Sequence, residues 1–165
     1  FEPVQVSYGQ VEIWLPSGSS IGRQTAFLTG TAENTITVPG TAKNAITVGA
    51  YNARTRTYAP FSGRGSLDSF QVKPDLVAPG VDVISCSPGG GYTARTGTSM
   101  ACPFVTGAAA LWMQWGMVEG NDPYLYGEKM RAFLTGNARP LSETGVYPNN
   151  REGWGRLCAK GDLVE

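Results

Sequence analysis

Residues 96–107, TGTSMACPFVTG, are the stretch on which the fold of this chain depends. A loop containing Gly97 leads into a helix, and small residues surround Ser99. The hydroxyl of Thr98 or Ser99 can cap this helix, and Pro103 falls early enough that its missing N–H costs little. Because a helix N-terminus carries about half a positive charge, an oxyanion formed beside Ser99 would be stabilised there. The stretch therefore predicts a nucleophile at Ser99; the alternative is that Ser99 only caps the helix.

Two helices are predicted in the second half of the chain. The first, over residues 99–116, is apolar on nearly every side, which is typical of a helix that is buried all round. The second starts at residue 123 or 124, with Asp122 as a cap, and ends near residue 134 with a polar outer face. Residues 136–152 have loop composition, and residues 153–157, GWGRL, indicate a short closing strand.

Three strands are predicted before the serine. Residues 45–50, AITVGA, form a continuous small and apolar run, which suits a strand buried on both faces of a parallel sheet. Residues 73–80 indicate a short strand closed by a Pro-Gly turn, and residues 81–86 indicate another strand. A strand buried in a parallel sheet, together with the two helices, predicts an α/β fold.

The first 36 residues have a different pattern. Alternating polar and apolar positions, or runs of strand-forming residues, indicate four strands, at 4–8, 11–15, 25–29 and 34–38. We therefore predict a β-rich segment over 1–36, and we expect the main α/β part to occupy 37–165.

Composition excludes several classes of function. Thirteen basic residues balance thirteen acidic ones, so the chain has no net charge with which to attract nucleic acid or an anionic membrane. No apolar run approaches the roughly 18 residues that a transmembrane helix needs, and no signal peptide is expected at Phe1. Cys86, Cys102 and Cys158 have neither disulfide nor zinc spacing, so we expect small core residues or free thiols, and no metal site.

Histidine is absent from the chain. A serine hydroxyl becomes a nucleophile only beside a general base, and histidine is the usual one. Asp75 could be considered for the acidic member of a catalytic triad, but it would have no histidine to orient. A structural role for Asp75 is the better interpretation.

The stretch from Gly97 to Pro103 resembles the serine motif of the subtilisin-like proteases, Gly-Thr-Ser-Met-Ala, one variable residue, then Pro. Cys102 stands where serine is usual and Phe104 where histidine is usual. A Val-Gly-Ala strand, a Phe-Ser loop and an Asp-x-x-Ala-Pro-Gly segment precede the motif in the family's order. The resemblance covers roughly residues 37–160.

The resemblance implies a role for each matching residue. Ser99 would be the nucleophile and its backbone N–H an oxyanion-hole donor. Residues 38–40 (Val38, Pro39 and Gly40), together with Thr98, would border the pocket for a substrate side chain. The family's triad Asp and His and its oxyanion Asn precede this region, so we expect the C-terminal part of a longer enzyme, inactive alone. The implied substrate is a polypeptide. The family's full-length members can bind calcium, but no cofactor is indicated in this chain.

Among subtilases the chain is similar to the germination proteases of clostridial spores. The segments at 121–129 and 147–149 and the Pro-Phe-Val-Thr-Gly variant after the serine carry this likeness, and 1–36 resembles the end of that subfamily's jelly-roll insertion. It implies a secreted or spore-associated protein. Two alternatives remain: a catalytically dead relative that acts in germination signalling, and an unrelated binding module whose motif matches by chance.

Overall fold

A computed structural model describes residues 13–15, 20–22, 24–66, 71–143 and 145–160. The chain divides into two compact units, 1–31 and 32–165. Residues 32–36, which the sequence analysis grouped with the first segment, belong to the second unit.

The β-rich character predicted for 1–36 is not seen in the residues that are described. The strand predicted at 4–8 lies outside them; of 11–15 only 13–15 are described, and these are not in a strand. Residues 25–29 are not in a strand; they follow a turn in which the Thr25 N–H donates to the Gly22 carbonyl at 2.9 Å. In the second unit, residues 34–38 run beside Arg64 without forming a strand, because Asn34 adopts a left-handed φ of 56°.

A three-stranded sheet forms the centre of the second unit. It consists of β1 (Val48–Asn52), β2 (Thr57–Tyr58) and β3 (Leu76–Pro79), in the order β2-β1-β3. β1 and β3 are parallel, with Val48 opposite Leu76, whereas β2 is antiparallel to β1. β1 starts three residues later than the buried strand predicted at 45–50, and the sequence analysis did not predict β2.

The predicted closing strand is present only as single bridges. The Val77 N–H donates to the Gly155 carbonyl and the Leu157 N–H to the Val77 carbonyl, so this segment runs parallel to β3. Gly153 and Gly155 have φ values of 58° and 119°, which interrupt extended backbone.

A hairpin of β4 (Val83–Cys86) and β5 (Tyr92–Arg95) forms a separate two-stranded antiparallel sheet. The predicted strand at 81–86 starts at Val83 because Asp82 takes a left-handed φ of 52°. The sequence analysis did not predict β5.

Helix α1 (Thr98–Met113) continues as a π-helical turn over Gln114–Val118. Helix α1 contacts β1 and β3. The buried residues of α1 form one stripe, which consists of Ala101, Val105, Ala108 and Trp112. The prediction that this helix is buried all round is wrong for the described structure, in which Phe104 is 42% and Leu111 66% exposed.

Helix α2 (Gly127–Gly136) starts later than predicted, and Tyr126, not Asp122, stands at its N-cap. Asp122 instead accepts the Tyr124 N–H and the Lys129 ammonium. The two helices meet where the Trp112 and Phe133 rings lie 4.8 Å apart, in an edge-to-face arrangement. The α/β fold class is confirmed. The described residues contain no helix that is long and apolar enough to cross a bilayer.

Candidate active site

Ser99 lies at the second position of α1. Gly97 occupies the N-cap, with φ 156° and ψ 163°, and no side chain caps the helix. The prediction that Thr98 or Ser99 caps it is therefore wrong, since both residues already lie within the first turn. The Ser99 hydroxyl is not used for capping, and the N–H at this position has no acceptor within a helix. The Ser99 hydroxyl is therefore available as a nucleophile, and the Ser99 N–H is available to donate to an oxyanion.

The start of α1 is held by backbone contacts to the central sheet. The Gly97 N–H donates to the Gly80 carbonyl at 2.8 Å, and the Gly80 N–H donates to the Tyr51 carbonyl at 3.0 Å. Gly80 is buried where β3 ends, and a Cβ there would lie 2.6 Å from the Ala50 Cβ. The position of Ser99 thus depends on close approach between α1 and the parallel pair β1 and β3. A serine-bearing helix beside a parallel sheet also contradicts the chance-match alternative.

Ser99 borders a cavity of about 400 Å³. Its lining residues are Pro39, Gly40, Ala45, Ile46, Thr47, Val48, Thr98, Ser99 and Cys102. A second cavity, of about 540 Å³, shares five of these residues: Pro39, Gly40, Thr47, Val48 and Thr98. Ser99 therefore lies at the edge of a depression whose opposite wall is the segment that leads into β1.

The structure brings three of the four predicted pocket residues into this depression. Pro39, Gly40 and Thr98 line both cavities, whereas Val38 is 84% exposed and lines neither. Thr47 also lines both, although the sequence analysis assigned it only to a buried strand. The one signal for Thr47 was its polar side chain within an otherwise apolar run.

The remaining candidates are the three cysteines and Asp75, of which Cys102 lines the smaller cavity beside Ser99. Cys86, Cys102 and Cys158 are free thiols; Cys86 and Cys102 are exposed and not core residues. Asp75 is fully buried, and its carboxylate is paired with Lys73 and Arg131. Across the described ranges, no three His, Cys, Asp or Glu side chains converge as a metal ion would require.

The larger cavity has an ion pair at its rim. The Arg64 Nη1 lies 2.7 Å from Glu33 Oε1, and the Arg64 guanidinium lies 5.7 Å from the centre of the Tyr58 ring. The hydrogen bond from Arg64 holds the pKa of Glu33 below its ordinary value of 4.5, even though burial opposes this. The charged form of Glu33 therefore stabilises the folded chain above that ordinary pKa, and this contribution is lost as the pH falls through the lowered pKa.

We expect Glu33→Gln to lower the Tm at pH 7 by at most about 4 °C, because its ion pair with Arg64 is only partly buried. The Tm difference from the unsubstituted protein should shrink as the pH is lowered below 4.5, because Glu33 itself then becomes neutral. Thermal unfolding followed by circular dichroism at pH 7 and at successive lower pH values tests this. Glu119→Gln, at an exposed position, should leave the Tm unchanged. A Tm difference for Glu33→Gln that persists in acid would contradict the assignment.

Comparison with known proteins agrees with this geometry. The model of the subtilase family matches residues 18–155. The structure of the CspB protease of Clostridium perfringens superposes with a TM-score of 0.82 and 38% identity, over 85% of this chain and 30% of that one.

Two further relatives are extracellular protease Vpr of Bacillus subtilis and subtilisin BL of Lederbergia lenta. The first is 35% identical over 59% of this chain and 12% of its own length. The second is 38% identical over 52% of this chain and 30% of its own length. This chain thus spans less than a third of the length of each of the three relatives. With the serine motif at the start of α1 and a family match over most of its length, the chain belongs to the subtilase family.

Proposed function

We propose that this chain is the serine-bearing part of a subtilisin-like serine endopeptidase. The observation that carries the proposal is the placement of Ser99: an exposed hydroxyl in the first turn of α1, not used as a cap, at the edge of a cavity. The substrate would be a polypeptide, one of whose side chains enters the depression formed by Pro39, Gly40, Thr47 and Thr98. Val38 precedes this wall in sequence and lines neither cavity.

In the proposed reaction Ser99 Oγ forms a bond to the scissile carbonyl carbon, and its proton passes to a histidine base. The carbonyl oxygen becomes an oxyanion beside the Ser99 N–H and the helix N-terminus, where partial positive charge stabilises it. The C–N bond then breaks, and the amine leaves with the proton from the base. Water hydrolyses the resulting acyl-enzyme and restores Ser99. No step requires a metal ion.

We propose that the histidine, the triad aspartate and the oxyanion asparagine come from an upstream part of the same protein. Two observations support this: the chain contains no histidine, and it spans only part of each relative. The exposed apolar side chains of Phe104 and Leu111 on α1 are suited to contact with that further polypeptide. On this proposal the chain alone has negligible activity.

We further propose a secreted or spore-associated protein with a role in spore germination. The similarity to an extracellular protease of Bacillus subtilis supports secretion. The similarity to a clostridial protease, together with the subfamily likeness at 121–129 and 147–149, supports spore association. The zero net charge agrees with a function that involves neither nucleic acid nor a membrane surface.

A second candidate is a catalytically dead relative that acts in germination signalling. The absence of histidine from this chain supports this candidate, because Ser99 would be present here even if the base had been lost elsewhere in the protein. The two candidates differ in whether Ser99 is activated in the full-length protein.

Fluorophosphonate labelling followed by intact-mass measurement distinguishes them. We expect the full-length protein to gain one phosphonyl adduct, localised to Ser99 by peptide mapping, because only a serine with an adjacent base reacts readily. The 165-residue chain alone and the full-length Ser99→Ala variant should gain none. A folded full-length protein that remains unlabelled would overturn the protease assignment and favour the signalling relative.

A further inference from the structure

Two buried charged side chains and one half-buried one form a group beside the segment that faces Ser99. The Asp75 carboxylate is fully buried; its Oδ2 accepts the Lys73 ammonium at 2.7 Å, and its Oδ1 accepts the Arg131 Nε–H at 2.5 Å. We refer to Lys73, Asp75 and Arg131 as the Asp75 cluster. Burying ion pairs adds little net stability, because desolvation offsets most of the attraction. Net stability therefore does not by itself account for the cluster.

The hydrogen bonds of the cluster converge on the backbone of residues 43–47. Asp75 Oδ2 accepts the Thr47 N–H at 2.7 Å, and the Asp75 N–H donates to the Thr47 carbonyl at 2.8 Å. The Lys73 ammonium also donates to the Ala45 carbonyl at 2.5 Å, and Arg131 Nη1 donates to the Lys43 carbonyl at 3.3 Å. All three members thus hold one short segment, which otherwise lacks regular secondary structure.

This segment leads directly to the wall of the cavity. The Thr47 hydroxyl donates to the Gly40 carbonyl at 2.5 Å, and Gly40 has little free space, since a Cβ there would lie 3.0 Å from Ile36 Cγ2. Gly40, Ala45 and Thr47 line the same cavity as Ser99. A continuous set of hydrogen bonds therefore runs from Arg131 on α2, through Asp75 and Thr47, to the surface opposite the serine.

We infer that Lys73, Asp75 and Arg131 are positioning residues that fix the substrate-facing wall of the depression beside Ser99. This inference rests on the proposed function. A wall held in one position binds the substrate side chain equally in the ground state and the transition state, so loosening it raises KM and leaves kcat nearly unchanged. The rate at which a small reagent reacts with Ser99 without filling the cavity would not depend on the position of the wall.

Arg131→Met in the full-length protein is the decisive variant. It removes the contacts to Asp75 and Lys43, while Asp75 keeps Lys73 and the Thr47 N–H, so the fold should persist. We expect KM for a peptide substrate to rise about three- to tenfold, the range for the loss of one hydrogen bond, at unchanged kcat. The rate of fluorophosphonate labelling should not change. Lys129→Met, which removes an exposed cation from the same helix, should alter none of these values.

Two further variants show whether the effect passes through Thr47. Thr47→Val removes the hydroxyl that donates to Gly40 while keeping the shape of this cavity-lining side chain, and we expect it to raise KM by a similar factor. Combined with Arg131→Met it should give little additional increase, because the two changes interrupt one set of contacts. Arg131→Lys should restore KM only in part, since an ammonium cannot reproduce the two-pronged contact of the guanidinium.

Amide hydrogen exchange tests the inference independently of catalysis. Arg131→Met should accelerate exchange in residues 43–47 and leave β1 protected. Any one of four results would overturn the positioning role. These are an unchanged KM, fluorophosphonate labelling that slows as much as peptide turnover does, additive effects of Arg131→Met and Thr47→Val, and unchanged hydrogen exchange. A wild-type protein that fluorophosphonate does not label refutes the proposed function instead, and the exchange result then still decides whether the cluster holds this segment.

Discussion

Replacement of Ser99 by alanine should reduce the turnover of the full-length protein by about a million-fold, the magnitude measured for the nucleophile of subtilisin itself. The hydroxyl is the atom that forms the acyl bond, so no neighbouring group can substitute for it. Ser99 is exposed in the first turn of α1 and makes no capping bond, so its removal leaves packing intact. We expect the free energy of unfolding to change by less than about 0.5 kcal/mol.

Peptide hydrolysis and thermal unfolding, measured on the same preparation, test both parts of this prediction. Ser85→Ala is the matched control, because it deletes an exposed serine hydroxyl on β4, outside the depression. It should retain full activity. Turnover that survives Ser99→Ala would exclude Ser99 as the nucleophile, and a large loss of stability would show that its role is structural.

The parts of the fold that the sequence predicts well are those governed by local physical rules. A small and apolar run, interrupted only by Thr47, marks a strand buried on both faces of a parallel sheet, and β1 does pair in parallel with β3. The serine motif marks the start of α1 to within one residue, because a glycine-bearing loop and small residues limit where the helix can begin. These signals lie within a few residues of the features that they predict.

The features that the sequence does not predict depend on contacts between distant segments. Periodicity shows that α1 is apolar on most sides, but it does not show which side is covered, and Leu111 lies on an exposed one. Lys73 is a local partner of Asp75, but Thr47 and Arg131 lie 28 and 56 residues away along the chain, so no local pattern indicates these two. Thr47 likewise becomes part of the candidate site only because its wall faces Ser99 in three dimensions.

Gly80→Ala should damage both the stability and the activity of the protein. The added Cβ would lie 2.6 Å from the Ala50 Cβ and 3.0 Å from the Gly97 carbonyl oxygen, and neither neighbour is the movable end of a side chain. Relief of this contact requires β1 and the start of α1 to separate, and we expect a loss of about 1–3 kcal/mol in the free energy of unfolding. The displacement also moves Ser99, because the Gly97 N–H donates to the Gly80 carbonyl.

A misplacement of about 1 Å at a catalytic group costs roughly a hundredfold in rate, so turnover per folded molecule should fall by that factor. Gly136→Ala is the matched control, since it makes the same change at an exposed position in α2 with no atom within 4 Å of the new Cβ. It should leave activity unchanged and stability equal or higher, because alanine favours helix more than glycine does. Denaturant unfolding gives the stability, and active-site titration with fluorophosphonate gives turnover per competent molecule. If Gly80→Ala lowers stability while the titrated molecules keep full turnover, the close approach at Gly80 supports the fold without positioning Ser99. If it lowers neither stability nor turnover, the packing at Gly80 is looser than the Ala50 contact requires.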